Sequence, residues 1–235
     1  MKNIVIAIDG PAGAGKSTVA KLVAEKLGFL YIDTGAMYRC LTLKAMREKI
    51  NWDDEDKLVK MAQNTKIELE NKDGKYRVIM DGEDVSNEIR KEEVGKNTKY
   101  VASILKIREI LWKMQRDFRK KFNVVMEGRD IGSKVFPDAQ IKIYLDASVD
   151  ERAKRRYLQL KEMGIEGDIE KIKKDVIKRD EVDKNRKVAP LIKVPDAEYI
   201  ETTNLTIKQV VDKICKIYEI YSNRGENGKY IIKEV

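Results

Sequence analysis

The chain has 235 residues, of which 42% are hydrophobic, 37% charged and 7% aromatic. That describes a very polar but globular protein with enough apolar content for a full core. Its net charge is +8 and it contains no histidine, which excludes an imidazole base and any zinc site with histidine ligands.

A core drawn from Val, Ile, Leu and Ala, with few aromatics, fits an α/β sheet better than a β-sandwich. The N-terminal segment lacks the charged, apolar and small-residue regions of a signal peptide. Nowhere do about 18 apolar residues run together, so no transmembrane helix and a cytoplasmic location are expected. The two cysteines, Cys40 and Cys215, lie in helix-like apolar patterns and are expected as buried, reduced thiols.

Along the chain, residues 3–8 (Asn-Ile-Val-Ile-Ala-Ile) read as a strand buried on both faces. Lys16 to Leu27 comes next with apolar residues at 19, 20, 23, 24 and 27, the spacing of a helix, and Gly28 supplies its stop. Phe29 to Ile32 reads as a second strand. One helix is expected from about Gly35 to Lys49 and another from Asp53. Residues 66–90 change character: Lys66-Ile-Glu-Leu-Glu alternates, Asp73-Gly74 signals a hairpin turn, and Tyr76-Arg-Val-Ile-Met comes after it. This predicts a small antiparallel insertion.

Residues 98–121 are expected as one long helix, with 123–126 and 141–145 as further buried strands. Two charged helices, Ser148 to Met163 and Asp168 to Arg179, are separated by Gly164 and Gly167. Tyr199 to Glu201 is the last expected strand and Thr206 to Tyr221 the closing helix. The polar, glycine-containing tail from Ser222 is expected to be loosely held.

Between the first strand and helix lies Gly10-Pro11-Ala12-Gly13-Ala14-Gly15-Lys16-Ser17-Thr18, which fits the phosphate-loop pattern in the strand–loop–helix context it requires. Its glycines let successive N–H groups converge on phosphate oxygens, and the helix N-terminus adds its dipole. Lys16 is expected to reach the β- and γ-phosphates and Ser17 to ligate Mg²⁺, whose other positions fall to water and ATP.

A hydrolysing switch that reads guanine would carry an Asn-Lys-x-Asp stretch, and none is present. Instead there are four arginine-bearing clusters: Asp33–Arg39, Glu127–Asp130, Glu151–Arg156 and Arg179–Arg186. Arginine clamps phosphates bidentately and never loses its charge. Beside a phosphate loop, the four clusters point to a second phosphorylated substrate.

The stretches GPAGAGKST, YIDTGAMYR, EGRDIGSKVFPDAQIKIYLDAS and RDEVDKNRKVAPL together resemble the bacterial cytidylate kinases, over nearly the whole chain to about Tyr221. The resemblance implies γ-phosphoryl transfer from ATP to CMP or dCMP. It implies an adenylate-kinase-like P-loop fold, α/β in three layers with a five-stranded parallel sheet, plus a lid and a small β-rich insertion. The P-loop core would span 1–65, 91–147 and 188–221, the insertion 66–90, the lid 148–187 and a tail 222–235.

By the same resemblance, Asp130 and Arg108 read cytosine with Thr34 nearby. A carboxylate takes the N4 amino donor and an arginine serves the acceptors. Arg39, Arg129 and Arg186 would hold the CMP phosphate, and Asp183 and Arg179 the ribose hydroxyls. Arg152, Arg155 and Arg156 on the lid would neutralise charge on the transferring phosphoryl, together with Lys16, Arg129 and Arg186. No general base is needed, because the acceptor is an ionised phosphate oxygen. Lys99 stands where the family often has a small hydroxyl residue against the base.

A monomer acting on free nucleotides is expected, with no nucleic-acid or membrane partner. The competing readings are another small P-loop kinase using UMP, AMP or an alcohol, and a basic RNA-binding module.

Overall fold

A computed structural model describes residues 3–72, 75–162, 164 and 166–223, with 71, 72 and 75 as backbone alone. The Asp73-Gly74 turn signal and the tail from 224 lie outside the described residues. In chain order the elements are β1 (Val5–Asp9), α1 (Lys16–Leu27), β2 (Leu30–Asp33), α2 (Thr34–Arg47), α3 (Glu55–Gln63), β3 (Ile67–Lys72), β4 (Lys75–Met80) and β5 (Glu83–Asp84). A 3-10 turn at Glu88–Arg90 leads to α4 (Glu92–Ser103), α5 (Leu105–Arg119) and β6 (Val124–Gly128). A π-helical turn at Ile131–Val135 precedes β7 (Ile141–Asp146), α6 (Val149–Glu162), α7 (Ile169–Asn185), β8 (Glu198–Glu201) and α8 (Ile207–Ser222). Among the described residues no helix is long and apolar enough to cross a membrane.

The chain divides into two compact units, one from residues up to Tyr31 and from Lys121 onward, the other Ile32–Lys120. In the first, the expected five-stranded sheet has the order β2-β6-β1-β7-β8. β1 pairs in parallel with β6 and β7, and β7 with β8. Val5, Ile6, Ala7, Ile8, Val124, Val125 and Met126 are wholly buried, as continuous apolar runs in a two-sided parallel sheet must be. At about 1.5–3 kcal/mol for each large side chain, that burial holds the strand ends in fixed register. α8 begins at a capping box in which Thr206 and Gln209 satisfy each other's backbone N–H.

The second unit packs α2, α3, α4 and α5 around Met37, Leu41, Leu58, Ile107 and Leu111. Beside them lies the small antiparallel sheet β3-β4-β5 that the alternating residues predicted.

Two helical expectations need correction. The single helix over 98–121 is two, because Ile104 is extended (φ −82, ψ 117) and serves as both the end of α4 and the cap of α5. Arg108 turns back and donates to Ala102 O at 2.9 Å, a carbonyl that the end of α4 leaves without a helical partner. The second charged helix continues beyond Arg179 to Asn185, so the Arg179–Arg186 cluster forms its last turns.

Candidate active site

Register brings the first unit's site together. Asp9, the last residue of β1, pairs with Gly128 of β6 on one side and Tyr144 of β7 on the other. β1 and β6 therefore end level, and β7 runs two residues further, to Asp146. The segments leaving those strands (the loop 10–15, Arg129-Asp130, and Ala147 leading into α6) emerge along one sheet edge, where ligands of open α/β sheets bind.

The loop is built on close backbone approach. A Cβ on Gly10 (φ +150) would sit 2.0 Å from Leu145 O, and one on Gly13 (φ +80) 3.0 Å from Arg152 Cβ, so no side chain fits at either position. Gly15 starts α1 without any side-chain cap, which leaves the helix N-terminus as an anion site. Pro11 and Ala14 are buried while Ser17 and Thr18 face solvent.

Lys16 is buried and donates from Nζ to Pro11 O at 2.7 Å. Burial, with Arg129 adding like-charge repulsion, pulls its pKa down to about 7. Ser17 Oγ donates to Glu127 Oε1 at 2.6 Å. Two hard oxygen donors thus meet at the loop. Among the described residues no group of three or more Asp, Glu or Cys could cage a metal. These donors fit Mg²⁺, which favours one or two protein oxygens and takes the rest from phosphates and water.

Beyond β6, Arg129 Nε donates to Asp183 Oδ2 at 2.7 Å. Arg186 lies with Nη2 3.8 Å from Asp130 Oδ1 and Nη1 3.9 Å from Asp183 Oδ1, and its Nε donates to Ala189 O. Burial pushes the Asp183 carboxyl upward, but Arg129, Arg186 and Lys16 outweigh it and hold its pKa below the ordinary value. The structure therefore brings the predicted residues Arg129, Asp130, Asp183 and Arg186 into one alternating-charge network.

The α6 arginines divide. Arg152 is 4% exposed. It donates from Nε to Ala147 O (2.9 Å), from Nη1 to Ala12 O of the loop (3.1 Å), and pairs through Nη2 with Asp180 Oδ2 (2.7 Å). Arg155 binds Glu151 and the Thr202 hydroxyl and carbonyl. Arg156 donates to Gln159, and Arg179 lies exposed on α7.

In the second unit, Asp33 caps α2 by accepting from Ala36 N at 2.9 Å. Its Oδ2 also receives Arg39 Nη2 at 3.1 Å and Arg90 Nη2 at 3.0 Å. Burial works to raise its pKa, yet the two guanidiniums and the Ala36 N–H hold it low. Thr34 is buried in the first turn of α2. Arg108, 1% exposed, stands over the Tyr38 ring (5.3 Å) and near Trp112 (5.6 Å). Lys99 is exposed on α4 with its ammonium 4.9 Å from the Tyr100 ring centroid.

Sequence reading assigned no role to Asp9, Asp33, Arg90, Glu127 or Asp180. The available signal was position: Asp9 and Glu127 each stand at the carboxyl end of an apolar run, and Asp180 continues the helical stripe Ile172, Val176.

Residues 6–220 match the family model described as cytidylate kinase. The chain is 51% identical over 215 residues to a cytidylate kinase of Geobacillus sp. (strain WCH70), covering 92% of this chain and 96% of that one. It is 52% identical over 211 residues to a cytidylate kinase of Caldanaerobacter subterraneus subsp. tengcongensis, covering 90% and 92%. Among solved structures, an uncharacterized protein from Eubacterium ventriosum superposes with a TM-score of 0.52 at 16% identity, covering 92% of this chain and 99% of that one. That likeness is one of fold alone.

Proposed function

The chain belongs to the cytidylate kinase family, and on that premise we propose that it transfers the γ-phosphoryl of ATP to CMP or dCMP, releasing ADP and CDP or dCDP. The observation that carries the reading is the shared sheet edge. The phosphate loop leaves β1 level with the end of β6, and Arg129-Asp130, joined to Asp183 and Arg186, comes directly after β6.

ATP lies in the loop Gly10–Thr18, its phosphates met by loop N–H groups and the start of α1. Lys16 leaves Pro11 O for the β- and γ-phosphates, and binding anions there restores its charge. Ser17 would be the protein ligand of Mg²⁺, with Glu127 orienting its hydroxyl, and the ion would supply charge neutralisation at the phosphates.

Arg129 and Arg186 hold the acceptor phosphate, and both are fully charged at every working pH. Asp183 and Arg179 take the ribose hydroxyls and Asp130 the cytosine amino group. Thr34, Arg39 and Arg108 are proposed for the same nucleotide, in the roles the family resemblance gives them. No residue has to remove a proton, since the attacking oxygen is already anionic. Catalysis then consists of positioning and charge stabilisation, in which Arg152 and Arg156 join from α6.

The enzyme is proposed to work as a monomer on free nucleotides in the cytoplasm, where its free, buried Cys40 and Cys215 stay reduced. Product analysis tests the transfer itself. Each ADP formed should be matched by one CDP, and ATP consumption should be negligible without CMP. ADP release that ignores CMP would contradict it.

A further inference from the structure

We propose that Asp9 is a positioning residue that locks the phosphate loop to the Arg129-Asp130 segment, setting donor and acceptor at a fixed separation; this rests on the proposed transfer from ATP to CMP. Asp9 ends β1, immediately before Gly10 opens the loop. The residue is 7% exposed. Oδ1 accepts from Ile131 N at 2.9 Å and Oδ2 from Gly132 N at 2.7 Å.

Those two amides open the π-helical turn that comes after Arg129-Asp130. The turn's own bonds run from Lys134 N and Val135 N to Asp130 O, and from Phe136 N to Ile131 O. The N–H groups of 131 and 132 precede the first donor of that ladder, so an acceptor has to come from elsewhere. One carboxylate from a neighbouring strand supplies both. An amide in its place would offer a single acceptor oxygen and turn an NH₂ donor against the second N–H.

At Gly132 the turn lies at ordinary van der Waals distance from the carboxylate: a Cβ there would stand 3.4 Å from Asp9 Oδ2 and 3.3 Å from Lys142 Cδ. The neighbouring groups on both sides belong to the reaction, with Lys16 reached from Asp9 through the loop and Asp130 directly before Ile131. π-helical turns concentrate at functional sites, and this one is held by charge-assisted bonds, which are about twice as strong as neutral ones. Asp9 touches neither nucleotide in this arrangement. It acts through the residues it holds.

The test uses the full chain with Asp9→Asn and, independently, Asp9→Glu, which keeps the charge but adds a methylene and so moves both acceptor oxygens off the two N–H groups. The expected signature is a split. ATP affinity, titrated without CMP, stays within about threefold of wild type, while kcat/KM for CMP falls about 100-fold, the scale of a misplacement near 1 Å. A merely structural role would weaken ATP binding and CMP turnover together, and that result overturns the proposal. So does CMP turnover within about threefold of wild type in either folded variant. If Asp9→Asn does not fold, Asp9→Glu carries the same reading. Wild-type CMP turnover in the same runs separates the two claims: with it present, the positioning role fails alone; without it, both fail.

Discussion

Arg152 Nη2 lies 2.7 Å from Asp180 Oδ2, with the two side chains 4% and 11% exposed. The pair joins α6 to α7, and the same guanidinium reaches the loop at Ala12 O. Arg152 is also the arginine proposed for the transferring phosphoryl, and three of its five N–H groups meet Ala12, Ala147 and Asp180. Removing one member of a buried pair strands the other's charge. Asp180→Ala is therefore expected to cost about 3–5 kcal/mol in denaturant unfolding, and Asp180→Asn less. A loss under about 1 kcal/mol for Asp180→Ala would show that the pair is not a structural tie.

Arg186→Ala removes a guanidinium proposed to hold the acceptor phosphate. The expected result is a 10- to 100-fold loss in kcat/KM for CMP, roughly the worth of one hydrogen bond to a charged group. ATP affinity should be unchanged. Equal losses in both, measured by steady-state kinetics and calorimetry, would assign Arg186 to the fold.

Asp130→Ala should change selectivity more than rate. If its carboxylate takes the cytosine amino group, the ratio of kcat/KM between CMP and UMP falls toward unity. An unchanged ratio removes Asp130 from base recognition.

Asp33 sets an acid limit on stability. Its pKa is held low by Arg39 and Arg90 against the upward pull of burial, so the folded chain binds that proton more weakly than the unfolded one. Its contribution is complete above the unfolded value, near pH 4, and is lost as pH falls through the lower folded value. Thermal melts should show wild type losing stability below about pH 4 more steeply than Asp33→Asn. Asp9 has the opposite sign: burial raises its pKa to about 6, so its contribution declines as pH rises from about 4 to 6. Parallel acid limbs for wild type and Asp33→Asn would contradict the first assignment.

The parts of the fold legible in sequence were local. Glycine spacing, an apolar run before it and a 3.6-residue period after it were enough for β1, the loop and α1, because each signal lies within a few residues. The break at Ile104 was hidden because the buried stripe Val101, Ile104, Ile107, Leu111 runs through it with helical spacing. The end of α7 was misjudged for a related reason. Its inward stripe Ile172, Val176 is continued by Asp180, a buried carboxylate that reads as surface until Arg152 is placed against it. Asp9 was invisible as a site residue because its partners are backbone amides 122 and 123 residues away. Pairings of that kind leave no periodic trace in sequence.

The central claim, that this phosphate loop serves a cytidine monophosphate, is tested most directly by coupled ADP release across CMP, dCMP, UMP, AMP and shikimate. The account predicts the highest kcat/KM for CMP or dCMP. Faster turnover of UMP, AMP or shikimate would contradict it.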